Sequence, residues 1–215
     1  MNFSRRAATP IVLALLVLGA ALASSASATT PAWIIAGSPL ATGETAALAE
    51  STTVTETFAI KGVTAGVAWK TQCTTMKLPK STIEGERTRR DEPVRMEGCS
   101  LSGAAHCEVP STIEFDPLTS TLEGTAGSFK LKFVPSSGTE VVTVNISGTG
   151  CAITGPFIIK GTMSCNYPGV ETEAINHVLE FSLTSGSELK HAGEKVTLTG
   201  KDEFWLASGL KWKVA

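Results

Sequence analysis

Histidine is scarce in this sequence, with only His106, His177 and His191 present, and no Gly-x-Ser-x-Gly stretch accompanies them. A nucleophilic hydrolase needs a serine or thiolate, a base within hydrogen-bond reach and a group that orients the base. No catalytic residue is therefore assigned. A glycosidase needs two carboxylates about 5 to 10 Å apart, and Glu114, Asp116, Asp202 and Glu203 carry no such distance in their spacing. The only dense group of metal-ligating types is His106-Cys107-Glu108. Neighbours on a strand point to opposite faces, so no metal or cofactor site is expected. Basic patches are also missing. In Glu86-Arg87-Thr88-Arg89-Arg90-Asp91-Glu92 the flanking acids cancel most of the field that would attract phosphates. That stretch reads as a solvated loop, and nucleic acid is not an expected partner. No helical heptads occur, and no apolar run reaches the roughly 20 residues needed to span a bilayer.

The N-terminus does carry a leader pattern. Arg5 and Arg6 precede an apolar run from Ile11 to Leu22 and the small residues Ala26-Ser27-Ala28, which together make a signal peptide over residues 1–28. Ser4-Arg5-Arg6 is also a partial twin-arginine pattern, so either export route is open. Removing residues 1–28 leaves 16 basic and 20 acidic residues, a formal net charge of −4. The expected location is extracellular or on the cell surface, with no membrane span after the leader is removed. Residues 29–215 are enough to bury about 70% of the unfolded surface. One β-rich domain is the expectation, and two small β modules dividing near Glu123 are the alternative.

After the leader, apolar residues recur with period two. Phe129, Leu131 and Phe133 alternate with Lys130 and Lys132, and Val142, Val144 and Ile146 alternate with Thr143, Asn145 and Ser147. Leu179, Phe181 and Leu183 alternate with Glu180, Ser182 and Thr184, and Val196 and Leu198 with Lys195, Thr197 and Thr199. This period buries one face of each strand. Weaker strands are read at Val54 to Ile60, Val67 to Cys73, Cys107 to Phe115 and Phe157 to Met163. A terminal hairpin from Phe204 to Val214 would turn at Ser208-Gly209, and Thr42 to Ser51 reads as a turn or short strand approach. Nine or ten short strands result. Half-solvated strands without covering helices pair antiparallel, so the fold class is all-β, an antiparallel sandwich or partly closed barrel.

Cys73, Cys99, Cys107, Cys151 and Cys165 make an odd count. In an oxidising compartment that implies two disulfides and one thiol left over, in any of fifteen arrangements. Around the cysteines the chain resembles a group of uncharacterised secreted β-rich proteins of actinobacteria, to which no activity is attached. The resemblance rests on Pro31-Ala32-Trp33, Gly98-Cys99-Ser100-Leu101, His106-Cys107-Glu108-Val109 and Pro117 to Gly124. It extends through Phe133-Val134-Pro135, Ile146 to Cys151 and Ser208 to Val214. It implies bridges from Cys73 to Cys99 and from Cys107 to Cys151, with Cys165 free.

With no catalytic constellation, the expected function is a non-catalytic secreted or cell-surface binding or structural module with a protein or glycan partner. Exposed aromatics anchor such partners, and Trp205 and Trp212 are the candidates. The alternatives are a secreted hydrolase with an unrecognised carboxylate or serine site, and a secreted inhibitor.

Overall fold

The structure, a computed structural model, describes residues 30–50, 58–77, 80–181 and 188–215. The leader, the strand reading from Val54 to Thr57 and that from Ser182 to Thr184 lie outside these residues. The described part is all-β, with twenty-one strands, more than double the number read from alternation. The excess consists mainly of two- to four-residue pieces, too short to show a period.

Eight strands close into an antiparallel barrel. In chain order they are Thr45–Glu50, Ser81–Glu84, Thr88–Asp91, Leu118–Glu123, Lys130–Pro135, Met163–Asn166, Asn176–Phe181 and Thr197–Leu206. Their order around the barrel is the order of the chain. Four come from each side of Glu123. The ring is completed by Thr197–Leu206, the longest strand at ten residues. Along one edge its residues 200–205 pair with Asn176–Phe181. Along the other, Phe204 to Leu206 pair with Glu50 to Leu48, and Thr197 to Thr199 pair with Lys61 to Ala59. One strand thus seals the barrel and launches a second sheet. Gly200 marks the fork, and a Cβ there would lie 2.3 Å from Cδ1 of the buried Phe58 ring.

Because neighbours alternate in direction, connections alternate between the two ends. Short ones close one end: 85–87, 124–129 and 167–175. The four long ones, running from 50 to 81, 91 to 118, 135 to 163 and 181 to 197, all leave the opposite rim. They carry the remaining cap strands, among them the hairpins Phe58–Thr64 with Val67–Cys73 and Glu140–Ile146 with Gly155–Lys160. The Cys73–Cys99 bridge ties the first long connection to the second, and Cys107–Cys151 ties the second to the third. With sequence separations of 26 and 44, loop-closure entropy assigns them about 3.5 and about 4 kcal/mol. The fourth connection is held by pairing of Lys190 with Lys160.

The terminal segment corrects the hairpin reading. Gly209 does turn the chain with φ 71°, but Trp212–Val214 pairs with Trp33–Ile35 rather than folding back on the preceding strand. This small sheet plugs the short-loop end. Trp33, Tyr167, Phe204, Trp212 and His177 pack there with ring centroids 4.4 to 6.3 Å apart. Thr42 to Ser51 likewise contributes the barrel strand Thr45–Glu50, because tertiary pairing on both edges overrides its helix-forming alanines.

Gly200→Ala is expected to lower stability by about 1 to 3 kcal/mol, since the added Cβ would force the buried Phe58 ring to shift. Urea denaturation checks this. An unchanged midpoint would mean the fork is looser than described.

Candidate functional site

Alternation decides what fills the barrel. Ser81, Ile83, Arg89, Asp91, Ser120, Leu122, Leu131, Phe133, Cys165, Leu179, Asp202 and Phe204 are all buried and are in register across the wall, as in the pairs Ile83 with Arg89, Arg89 with Ser120 and Leu179 with Asp202. The stretch Glu86 to Glu92 is therefore no solvated loop. Arg87 turns a hairpin with φ 69°, Thr88 and Arg90 lie on the face opposite Arg89 and Asp91, and Arg89 and Asp91 are 1% and 3% exposed inside the barrel. The period-two pattern was present in Thr88-Arg89-Arg90-Asp91, but charges at the inward positions hid it.

Arg89 donates from Nε to Asp91 Oδ1 at 2.9 Å, and the Ser81 hydroxyl donates to the same oxygen. The guanidinium carbon stands 4.6 Å from the Phe204 ring centre and 5.8 Å from that of Phe133, a cation–π arrangement. Burial opposes the charge on Arg89, but the carboxylates of Asp91 and Asp202 and the hydrogen bond to Asp91 outweigh it and hold the guanidinium charged. Burial pushes the Tyr167 hydroxyl well above its ordinary range. It also pushes up the Cys165 thiol, which is free and buried. A thiol so far from ionising is a poor nucleophile. Arg89 Nη1, Asp91 Oδ2, Ser120 Oγ and Tyr167 Oη have no hydrogen-bond partner among the described residues.

Above this pair, where the rim meets the cap, lies a chamber of about 20 Å³. Its floor is Arg89 and Asp91, and its walls are apolar, including Phe58, Phe115, Phe133 and Phe181 together with Met76, Met96 and Met163. The sequence has four methionines, and every one except Met1 lines this chamber. At the other end of the barrel, open grooves of about 290 and 350 Å³ flank the loop at Gly127. Glu171 there accepts from the Gly127 amide, and Glu180 pairs with Lys201 at 3.2 Å.

The residues singled out from sequence are scattered. Trp212 is fully buried in the plug and donates from Nε1 to the Ile175 carbonyl at 3.0 Å, so it presents no face to a ligand. Trp205 is partly buried on the outer side of the barrel wall. Asp202 points into the barrel, whereas Glu203 is on the outer face and accepts from Asn176 Nδ2. Glu114 is exposed and paired with Arg95. His177 is buried, bonded through Nε2 to the Trp212 carbonyl at 2.8 Å. Burial lowers its pKa, against a smaller opposing effect of that bond. His191 bonds the Ile158 carbonyl and stacks on Phe157. Among the described residues no group of three or more histidine, cysteine or acidic side chains is placed to hold a metal ion. No family model matches the chain, and no curated protein or solved structure matches it.

Removing one member of a buried ion pair leaves the other uncompensated. Arg89→Ala is expected to cost about 3 to 5 kcal/mol, and the double variant Arg89→Met with Asp91→Leu to recover most of that loss. Chemical denaturation of both checks it. Equal, small losses would show that the pair is exposed to water.

Proposed function

We propose that the protein is an exported, non-catalytic binding module that offers its cap to a protein or glycan partner. The observation that carries this reading is the placement of all four long connections on one rim, three of them laced by two disulfides. Binding residues concentrate on loops that a rigid scaffold positions, and cross-linking those loops before the partner arrives lowers the ordering cost of association. Two disulfides are also what an oxidising, extracellular setting permits. Export itself rests on the leader pattern in residues 1–28.

Among the described residues of the cap Val63 is an exposed large apolar side chain, and Leu210, also exposed, lies at the plugged end. Cosedimentation with isolated bacterial cell envelopes is the test. Saturable binding is expected, weakened by Val63→Asp and unaffected by Leu210→Asp. Survival of binding after proteinase treatment of the envelopes assigns a glycan, and its loss a protein. Turnover of a substrate in a hydrolase panel, abolished by one point substitution, would overturn the reading in favour of a secreted hydrolase.

A further inference from the structure

We infer that the outer face of the cap is a docking surface for a linear acidic polysaccharide, held by a band of five lysines that the fold draws from neighbouring strands. The inference rests on the reading of the cap as a binding face and names the chemistry of its partner.

Strand register assembles the band. Lys160 stands directly opposite Lys190, and Lys190 directly opposite Lys195. Val196 is buried between Lys195 and Thr197, so those two share the outer face, and Thr197 pairs with Lys61. Lys195 therefore lies diagonal to Lys61, a separation of about 7 to 8 Å. Lys61 in turn stands directly opposite Lys70. Four of the five are exposed, and Lys70 is half-buried. With neighbouring strands roughly 4.8 Å apart, the band runs about 19 Å across the cap. No basic run in the sequence announces it, because the five lysines come from separate segments.

Like charges directly opposite one another oppose strand pairing. The barrel wall avoids them, its directly opposed charges being Glu123 with Lys130 and Glu180 with Lys201. The cap instead sets lysine against lysine at three positions. Glu140 lies 3.8 Å from Lys160, but Lys61, Lys70, Lys190 and Lys195 have no ion-pair partner among the described residues. Glu188 is exposed two residues from Lys190 on the same face, whereas Glu194 stands opposite His191 on the other. Repulsion built into the pairing is relieved when an anion covers it.

The arrangement selects the kind of anion. Positive charge drawn out along a line fits repeated negative groups on an extended chain. Lysine is a compact charge on a flexible stem and lacks the planar fork with which arginine grips a single carboxylate or phosphate. Thr197, Thr199, Gln72 and Ser102 share the face by register with Lys61, Lys70 and their neighbours, and such side chains hydrogen-bond to sugar hydroxyls. Among the described residues no aromatic side chain lies on this face to stack a nucleic-acid base or anchor a protein, since Trp69 and Phe157 are buried on the opposite side. Val63, two residues from Lys61, is part of the same face.

The test is calorimetric titration of the purified protein with polygalacturonate, neutral dextran, polyglutamate and oligothymidylate. Saturable binding is expected with polygalacturonate, weakening steeply as sodium chloride is added, with none to dextran and weaker binding to the other two polyanions. Lys61→Gln combined with Lys190→Gln and Lys195→Gln is expected to lose the binding without unfolding earlier, because opposed like charges are removed. Lys132→Gln combined with Lys211→Gln and Lys213→Gln takes the same charge from the barrel wall and the plugged end and is expected to keep it. No saturable binding to polygalacturonate, equal binding of dextran, polyglutamate or oligothymidylate, or full binding by the folded cap variant would each overturn the inference. The comparison of polymers stands on the unaltered protein, whether or not the variants fold. Saturable binding to cell envelopes without binding to polygalacturonate would overturn this inference and leave the binding-module reading in place.

Discussion

The architecture depends on the closing strand Thr197–Leu206. An antiparallel sheet of this size has two edges unless it closes, and an unpaired edge invites association with other chains. Here the seam between Phe204–Leu206 and Leu48–Glu50 removes both edges at once. The ten-residue length matters because the same edge must also carry Phe58–Thr64 near the strand's start. Closure then dictates the rest. In an even-numbered meander the connections alternate between ends, so four insertions placed after alternate strands all emerge from one rim.

A barrel of eight strands leaves an interior just wide enough for side chains, and here that interior is not purely apolar. Arg89 reaches across it towards Phe204, anchored by Asp91, with Ser81 bonded to the same carboxylate. Such a pair adds little net stability over a hydrophobic replacement. Both residues line an apolar, methionine-rich space between rim and cap. The disulfides act at a different level. They fix three of the cap's four long connections to one another, while the barrel beneath is held by backbone pairing and by the buried cluster running through both layers.

Much of the fold was legible in the sequence, and the reasons are local. Leu131 and Phe133, Val142 to Ile146, and Leu179 each obey strict alternation and lie buried in strands, because one solvated face per strand writes a period of two into the chain. The barrel-or-sandwich class followed from that period. Full closure did not, since it depends on pairing between residues more than 150 apart in the chain. The terminal strand misled for the same reason: Ser208-Gly209 does turn the chain, but Trp212–Val214 finds its partner at Trp33–Ile35. The buried site was hidden by its own composition. Ser81, Arg89, Asp91 and Asp202 carry polar side chains at inward positions, where a pattern based on hydrophobicity reads solvent. Spacing alone brought neither the cap's methionines nor the chamber to light, because Met76, Met96 and Met163 come from three different connections and strands.

Closure of the barrel is most directly tested by amide hydrogen exchange along its seam. Ala207 donates to the Ala47 carbonyl at 2.8 Å, and this bond exists only if the ring is shut. Protection of the Ala207 amide equal to that of Leu131 and Phe133 in the opposite wall is the predicted result, since one cooperative unit opens with one free energy. Exchange at the seam as fast as in an unstructured peptide, with the opposite wall still protected, would contradict it.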